Sequence, residues 1–328
     1  MRIAVTGSIA TDHLMTFPGR FTDQILPDQL AHISLSFLVD TLDIRNGGVG
    51  ANIAYGLGLL GRRPALVGAV GRDFTEYGSL LRGAGVDTDS VHVSGTHHTA
   101  RFMCTTDEDG NQLASFYTGA MAEARSIDLG ATASRLGGLD LVLVGADDPE
   151  GMLRHTQVCR DLGIRRAADP SQQLARLDGD SIRDLVDGAD HLFTNEYERA
   201  LLLSKTGWSE TDVLARVGTW ITTLGPKGCR IDRAGQAVIE SAAVPALAAV
   251  DPTGVGDAFR AGYVAATASG LESVQAARAG AVMATFALES VGTQTYVFTP
   301  ERLHERLVAA YGPEAAGITP VLFDGAHR

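Results

Sequence analysis

The chain has 328 residues and an ordinary globular composition, with 45% hydrophobic and 20% charged residues, and its net charge is −12. An acidic chain without a basic stripe argues against a nucleic-acid partner, and no apolar run is long enough to span a membrane. The three cysteines are widely spaced and indicate neither a disulfide framework nor a zinc site. We interpret the N-terminus as a first strand rather than a signal peptide, and we expect a soluble cytoplasmic protein.

Short apolar runs alternate with helical patterns along most of the chain. The predicted strands cover residues 2–6, 65–70, 139–145, 164–168, 190–194 and 219–224. The predicted helices cover residues 50–60, 74–83, 150–162, 180–188, 195–204, 257–269, 272–289 and 300–311. This alternation predicts an α/β fold with a mainly parallel sheet and helices on both faces. No linker or repeat divides the chain, so we expect residues 1–328 to form a single domain.

Two segments, residues 13–46 and 91–118, show β-type alternation without intervening helices. They predict a small antiparallel sheet inserted into the α/β core. In the second segment, a three-residue loop with Gly110 in the left-handed conformation would place Phe102 opposite Phe116, so that both rings share one face. A two-residue turn would place the two rings on opposite faces.

The segment Asp251 to Phe259 reads Asp-Pro-Thr-Gly-Val-Gly-Asp-Ala-Phe and directly precedes a helical pattern. The unpaired amides and dipole of a helix start, together with Gly254 and Gly256, predict a cradle for an anion. Asp257 at its edge could deprotonate a hydroxyl, as phosphoryl transfer to an alcohol requires, and the helix start should lower its pKa. The plainer interpretation is a turn with Asp257 as N-cap, but Arg260 stands where the usual Glu or Gln would be.

Other polar residues follow predicted strands, and ligands in open α/β sheets bind at the carboxyl ends of strands. Asp12 follows strand 2–6 and could hold a diol, and Asn52, after a glycine run, could contact a hydroxyl. Asn195 and Glu198 share a helix face and could hold Mg²⁺-bound water beside phosphates. The plainer interpretations are a loop carboxylate for Asp12, a simple turn for the glycine run before Asn52, and a capped helix for Asn195 and Glu198.

The sequence supports neither of two common nucleotide-binding motifs, the P-loop and the dinucleotide-binding glycine motif. No Gly-Lys-Ser/Thr triplet exists, which excludes a P-loop. The run from Gly56 to Gly61 fits the dinucleotide pattern G-x-G-x-x-G, but it lies within a helical pattern instead of between a strand and a helix. We therefore interpret its glycines as close-packing sites. The run from Thr223 to Gly228, with one Lys, is at its simplest a β-turn between two strands.

These segments together resemble the signatures of the ribokinase-like (pfkB) carbohydrate kinases, and the resemblance covers essentially the whole chain. It implies a three-layer sandwich with a small lid sheet, and Asp257 as the catalytic base. The anion hole would be formed by the amides of Gly254, Val255 and Gly256.

Within that family, residues 8–15, 34–39, 169–177 and 202–208 resemble the bacterial adenosine kinases, which use ATP to phosphorylate the 5′-hydroxyl of adenosine. The resemblance implies nucleoside contacts at Ser8, Asp12, Gly48, Asn52, Phe102, Phe116, Gln172, Gln173 and Arg176. It implies ATP contacts at Asn195, Thr223, Leu224, Gly225, Pro226, Lys227, Gly228 and Gly256. Mg²⁺ near Glu198, room for a monovalent cation, and a homodimer formed through the lid sheet are further expectations.

A kinase for a plain sugar or for another nucleoside is the nearest alternative. Phe102 and Phe116 discriminate, because a shared face favours a purine base, which offers a π-face, and opposite faces favour a sugar. The hypothesis that the chain is an NAD-dependent oxidoreductase is supported only by the glycine run at 56–61. A non-catalytic nucleoside-binding protein is opposed by the intact Asp257 and its glycines.

Overall fold

The computed structural model describes residues 1–25 and 35–324. The strands in chain order are β1 Ile3–Thr6, β2 Ala10–Thr16, β3 Thr41–Gly47, β4 Ala65–Val67, β5 Ala69–Val70, β6 His92–Val93, β7 Ala100–Thr106, β8 Gln112–Tyr117, β9 Leu141–Val144, β10 Arg165–Ala168, β11 His191–Asn195, β12 Thr219–Thr223, β13 Cys229–Asp232 and β14 Ile239–Ser241. The helices are α1 Phe21–Gln24, α2 Val49–Leu59, α3 Thr75–Gly83, α4 Leu129–Arg135, α5 Pro149–Asp161, α6 Gly179–Val186, α7 Glu196–Thr206, α8 Glu210–Leu214, α9 Val255–Ala268, α10 Ser273–Leu288, α11 Pro300–Tyr311 and α12 Ile318–Phe323. Every strand and helix predicted from the alternation has a counterpart among them.

The main sheet has eight strands in the order β14-β13-β12-β11-β10-β9-β1-β4. Its strands are parallel from β4 to β12, and β13 and β14 add an antiparallel edge. All residues of β1 and β9 are buried, which is typical of a parallel sheet covered on both faces.

Helices cover both faces of this sheet. Ile3 and Val5 of β1 belong to a core that includes α2, α9 and α10, whereas Ala4 belongs to a second core that includes α5, α6 and α7. Successive side chains of a strand point to opposite faces, so one strand contributes to both cores. The predicted three-layer α/β sandwich is therefore confirmed. Among the helices of residues 1–25 and 35–324, none is both long and apolar enough to cross a bilayer.

A second sheet, which we call the lid sheet, has four strands in the order β3-β2-β7-β8. Its outer pairs are antiparallel as expected, but the central strands β2 and β7 run parallel. It begins at Ala10, earlier than the expected residue 13. Residues 26–34, which belong to the first segment expected to form this sheet, lie outside the described residues.

The second segment expected in the lid sheet reaches it only from Ala100 onward. Predicted strand 65–70 is divided at Gly68, where a Cβ atom would lie 2.7 Å from the carbonyl oxygen of Gly7. After this close approach β5 leaves the main sheet and pairs in parallel with β6. Residues 91–99 therefore lead toward the lid sheet through this small two-stranded sheet, and the prediction that they belong to the lid was wrong.

The β7–β8 hairpin has the register expected from its three-residue loop. Phe102 pairs with Phe116, and the Asp107 amide donates to the Asn111 carbonyl at 3.0 Å. Gly110 has a φ of 80°, the left-handed conformation that the loop requires. The Asp107 carboxylate accepts hydrogen bonds from three backbone amides, including that of Asn111 at 2.8 Å, which stabilises the turn.

Candidate active site

A cleft of about 1110 Å³ opens at the carboxyl ends of the central strands, beside the first turn of α9. The segments that follow β10, β11 and β12 all line it, as expected for an open α/β sheet. Residues from these segments and from α9 that face the cleft include Gln172, Asn195, Thr223, Gly256, Asp257 and Arg260. The tertiary structure thus brings together candidate residues that are far apart in the sequence.

The anion cradle lies at the N-terminus of α9, which starts at Val255, earlier than the predicted residue 257. Gly254 is the N-cap, with a φ of 74°, and a Cβ atom there would lie 2.8 Å from Cγ2 of Thr293. Only glycine meets both conditions without strain. The amides at the start of α9 have no helical acceptors, so they can hold an anion, and Asp257 lies in this first turn.

Asp257 is held by a hydrogen-bond chain from three other segments. Its Oδ2 accepts from Asn52 Nδ2 at 2.8 Å, and Asn52 Oδ1 accepts from Gln294 Nε2 at 2.8 Å. Gln294 Nε2 also donates to the Tyr77 hydroxyl at 2.5 Å, and that hydroxyl donates to the Gly47 carbonyl at 2.7 Å. The chain sets the amide orientation of Asn52 and hence the direction of the carboxylate. No local sequence pattern indicates Tyr77 or Gln294.

Burial raises the pKa of Asp257 above the usual range, although Arg260 and the hydrogen bond from Asn52 oppose the shift. The expectation that the helix start would lower this pKa was wrong. Asp257 is half-buried at the wall of the cleft, and the cost of partly desolvating its charge exceeds the stabilisation by the helix dipole. A raised pKa makes Asp257 a stronger proton acceptor than an exposed Asp.

One row of the lid sheet carries the residues proposed for the nucleoside. Asp12 pairs with Arg45 on one side and with Phe102 on the other, and Phe102 pairs with Phe116. Residues in register share a face of the sheet, so all four side chains project from one face. Arg45 Nη1 lies 3.1 Å from Oδ2 of Asp251, so this face is directed toward the segment that forms the anion cradle.

Asp12 and the start of α2 adjoin the site from the other side. Burial raises the pKa of Asp12, while nearby Arg45 lowers it. Gly48 has a φ of 96°, and a Cβ atom there would lie 2.5 Å from the Ser8 carbonyl oxygen. The Ser8 hydroxyl accepts from the Val49 amide at 3.1 Å and so supports the first turn of α2. Ser8 and Gly48 therefore have a structural role in addition to the proposed contact with substrate.

The glycines of the run 56–61 pack closely inside the protein. Gly56 and Gly58 lie within α2, and a Cβ atom on Gly56 would lie 2.7 Å from Cβ of Ala261. On Gly58 it would lie 2.1 Å from the Ala84 carbonyl oxygen. The interpretation as close-packing sites is confirmed for Gly56 and Gly58, whereas Gly61 follows α2 in a turn with a φ of 72°. The run has no dinucleotide-binding geometry.

Asn195 and Glu198 line the cleft and form a capping box at the start of α7. The Glu198 amide donates to Asn195 Oδ1 at 2.8 Å, and the Asn195 amide donates to Glu198 Oε2 at 2.7 Å. Among residues 1–25 and 35–324 no group of three or more Asp, Glu, His or Cys side chains could hold a metal ion. This donor set fits Mg²⁺ carried by phosphates and waters, with Glu198 as a partner of a water, and does not fit an all-protein site.

The run from Thr223 to Gly228 forms the expected turn between β12 and β13, with the Leu224 amide donating to the Gly228 carbonyl at 2.7 Å. Thr223, Gly225, Pro226 and Gly228 line the cleft. Apolar residues form the adjacent wall, a suitable surface for a flat base, and include Ala243, Val244, Pro245, Ala246, Ala249 and Leu288. Leu224 and Lys227 do not line it.

Of the three residues proposed as nucleoside contacts in the segment after β10, only one lines the cleft. Gln172 lines the cleft, and Ser171 beside it has a φ of 47°, a strained value of the kind found at functional sites. Gln173 is only 5% exposed, and its Nε2 donates to the Asp147 carbonyl at 2.6 Å. Arg176 is exposed and does not line the cleft. A substrate contact at Gln173 or Arg176 therefore requires these side chains to reorient.

Comparison with known proteins places this geometry in a family. The family model for pfkB family carbohydrate kinases matches residues 9–300. The nucleoside kinase of Methanothermobacter thermautotrophicus is 31% identical over 291 residues, which cover 88% of this chain and 92% of that protein.

Two solved structures are also similar. The nucleoside kinase of Burkholderia thailandensis in complex with inosine is 34% identical, with a TM-score of 0.83 and coverage of 94% of this chain and 99% of that one. The ribokinase of Cryptococcus neoformans var. grubii serotype A in complex with ADP is 24% identical, with a TM-score of 0.77 and coverage of 93% and 99%, and this likeness shows the fold alone. The chain belongs to the pfkB family of carbohydrate kinases, has the ribokinase-like fold, and is a phosphotransferase with an alcohol acceptor.

Proposed function

We propose that this kinase transfers the γ-phosphoryl group of ATP to the 5′-hydroxyl of a purine nucleoside, with adenosine as substrate and AMP as product. The observation that carries the proposal is the row of Asp12, Phe102 and Phe116 on one face of the lid sheet. The two aromatic rings offer a surface for a purine, and the carboxylate can accept hydrogen bonds from the ribose diol. The similar nucleoside kinases of two other organisms support a nucleoside acceptor.

In this mechanism Asp257 orients the 5′-hydroxyl and accepts its proton, and its raised pKa favours that transfer. The amides of Gly254, Val255 and Gly256 stabilise the charge on the transferred phosphoryl group. Bound Mg²⁺ would neutralise phosphate charge, with Glu198 as a partner of its water. The lid sheet covers the nucleoside and excludes water, which limits hydrolysis of ATP. We propose that the reaction takes place in the cytoplasm.

The remaining candidate residues divide between the two substrates. Near the nucleoside we propose contacts from Ser8, Gly48, Asn52, Gln172, Gln173 and Arg176. Near ATP we propose contacts from Asn195, Gly256 and the turn Thr223 to Gly228, including Leu224, Gly225, Pro226 and Lys227.

One assay tests the acceptor. ATP-dependent phosphorylation is measured with adenosine, guanosine, inosine, ribose and fructose at equal concentrations, with and without Mg²⁺, and along a KCl titration. The proposal expects the highest kcat/KM with adenosine and no turnover without Mg²⁺. Inosine is the specific alternative, because a similar structure contains it. A preference for ribose or fructose would contradict a nucleoside acceptor, and the KCl titration measures the monovalent-cation dependence that the resemblance implies.

Phe102→Ala is expected to weaken adenosine binding by about 5- to 150-fold, because stacking of a base on an aromatic ring contributes about 1–3 kcal/mol. Binding of ribose should change by less than about twofold. Met103→Ala is the control within β7, since Met103 is the next residue and projects from the opposite face. That face also carries Ile44, so light scattering must show that this variant keeps the oligomeric state of the wild type. Dissociation constants from calorimetry decide the result, and equal losses for adenosine and ribose would remove the stacking role.

We also propose that two copies associate through the lid sheet. Leu42, Ile44 and Leu113 are 56%, 55% and 47% exposed, and their register places them on the face opposite Asp12. An apolar sheet face of this kind is commonly covered by a second copy. Ile44→Glu is expected to convert a dimer into a monomer in light scattering. A wild-type chain that is monomeric at all concentrations would contradict the proposal.

A further inference from the structure

Four ionisable side chains, three of them buried and the fourth, Asp257, half-buried, converge at the anion cradle. Arg260 lies one turn after Asp257 on α9, and its side chain runs back toward the start of the helix. Its Nε lies 2.6 Å from Oδ2 of Asp169, and its Nη2 lies 4.0 Å from Oε2 of Glu198. A Cβ atom on Gly256 would lie 2.7 Å from Nη1, so the guanidinium lies directly against Gly256 of the cradle.

The charges in this cluster do not balance. Asp169, Glu198 and Asp257 supply three carboxyl groups, and Arg260 supplies one guanidinium group. Asp169 is 0% exposed, Arg260 6% and Glu198 7%, so water screens their charges poorly. Burial, together with the nearby carboxylates and against the opposing effect of Arg260, raises the pKa of Asp169 to about 7.

Arg260 is also the only cationic side chain among the described residues that line the cleft. Lys227, the ammonium group of the nucleotide turn, does not line it. Binding a triphosphate close to three carboxyl groups costs free energy, because the negative charges repel one another. A cation at the same place offsets this repulsion. The position of Gly256 is consistent with this role, because any side chain there would displace the guanidinium from the cradle.

We propose that Arg260 is a positioning residue for the phosphate donor, whose guanidinium offsets the carboxylates of Asp169, Glu198 and Asp257 so that the triphosphate can reach the amides of the cradle. This inference rests on the proposed ATP-dependent function. Asp169 is then the counter-ion that holds the guanidinium in place. A purely structural ion pair makes a different prediction, because removing either partner of such a pair would cause a similar loss.

Four variants separate the two roles: Arg260→Met, Arg260→Lys, Asp169→Asn, and the double variant Arg260→Met with Asp169→Asn. Arg260→Met is expected to raise the KM for ATP and the Kd for β,γ-imido-ATP at least tenfold, with the nucleoside Kd within about threefold. Arg260→Lys should recover part of the loss because it keeps the charge. Asp169→Asn should raise the KM for ATP by less than about threefold, because the Asn side-chain oxygen can still accept from Arg260 Nε and hold the guanidinium in place.

The double variant keeps the test decisive if Arg260→Met does not fold, because it leaves no unpaired Asp169 carboxylate. Relative to Asp169→Asn, it should still bind β,γ-imido-ATP at least tenfold more weakly. Equal binding by these two variants, or a loss of ATP affinity in Asp169→Asn as large as in Arg260→Met, would overturn the proposal. Arg278→Met, an Arg on α10 paired with exposed Glu314, is the matched control, and melting temperatures are measured for all variants.

Failure of the proposed function gives a different result from failure of this inference. If the wild-type protein phosphorylates no nucleoside with ATP, the function is wrong. If the wild type is active and all Arg260 variants bind the nucleotide like the wild type, only the role of Arg260 is wrong.

Discussion

Asp257→Asn is expected to lower kcat by about 10²- to 10⁴-fold, the usual contribution of a general base, while the Kd for adenosine changes by less than about threefold. Asn has the same shape and can still accept the hydrogen bond that Asn52 donates to Asp257 at 2.8 Å. The variant therefore removes the proton acceptor and keeps the local packing. Single-turnover kinetics measure the chemical step, and calorimetry measures binding.

The matched control for this variant is Asp161→Asn at the end of α5, which makes the same chemical change away from the cleft. It should leave kcat within about twofold of the wild type. Turnover by Asp257→Asn at the wild-type rate would exclude Asp257 as the base. A large loss of adenosine binding in that variant would instead indicate a role in holding the nucleoside.

Gly254→Ala is expected to lower kcat at least about 10²-fold, the effect of losing a positioned amide donor at the reacting group. Alanine is disfavoured at the φ of 74° found there, at a cost of about 1–2 kcal/mol. Its Cβ atom would also lie 2.8 Å from Cγ2 and 2.9 Å from Cβ of Thr293, so the loop must shift. The shift moves the amides of the cradle away from the phosphoryl group.

Gly235→Ala separates the effect of backbone strain from the effect of the clash with Thr293. Gly235 has a φ of 69°, similar to that of Gly254, but no atom lies within 4 Å of a Cβ atom placed there. Both variants should therefore lose comparable stability from backbone strain, and only Gly254→Ala should lose activity. Thermal unfolding and steady-state kinetics of the two proteins provide the comparison. Full activity in Gly254→Ala would show that phosphoryl transfer does not depend on this loop geometry.

The parts of the fold that could be predicted from the sequence depend on short-range patterns. Strands buried on both faces, such as β9, are continuous apolar runs, and the cradle combines glycines with a helix start within nine residues. The register of Phe102 and Phe116 follows from a loop of three residues. The lid boundary at residue 91 was wrong because β6 pairs with β5 instead of with a strand of the lid sheet, a pairing between segments that are distant in the sequence.

In the candidate site, likewise, single residues were predicted from local patterns, but the contacts between them were not. Asn52 and Asp257 were each recognisable from the residues around them, but their hydrogen bond joins positions 205 residues apart. Tyr77 and Gln294 orient Asn52 from distant segments and have no local signal. The only local signal of Arg260 is that it is an unusual residue for the first turn of a capped helix. Its partners Asp169 and Glu198 come from the segment after β10 and from α7, which are distant in the sequence.

The α/β class and the anion cradle at residues 251–257 follow from neighbours along the chain, and for the two phenylalanines the sequence left two registers open, between which the structure selected the shared face. The electrostatics of the site depend on the three-dimensional fold. The fold half-buries Asp257 so that desolvation raises its pKa, and it brings Arg260 against two carboxylates from other segments. Burial and charge pairing depend on every atom around a group, and a linear pattern carries no record of those neighbours.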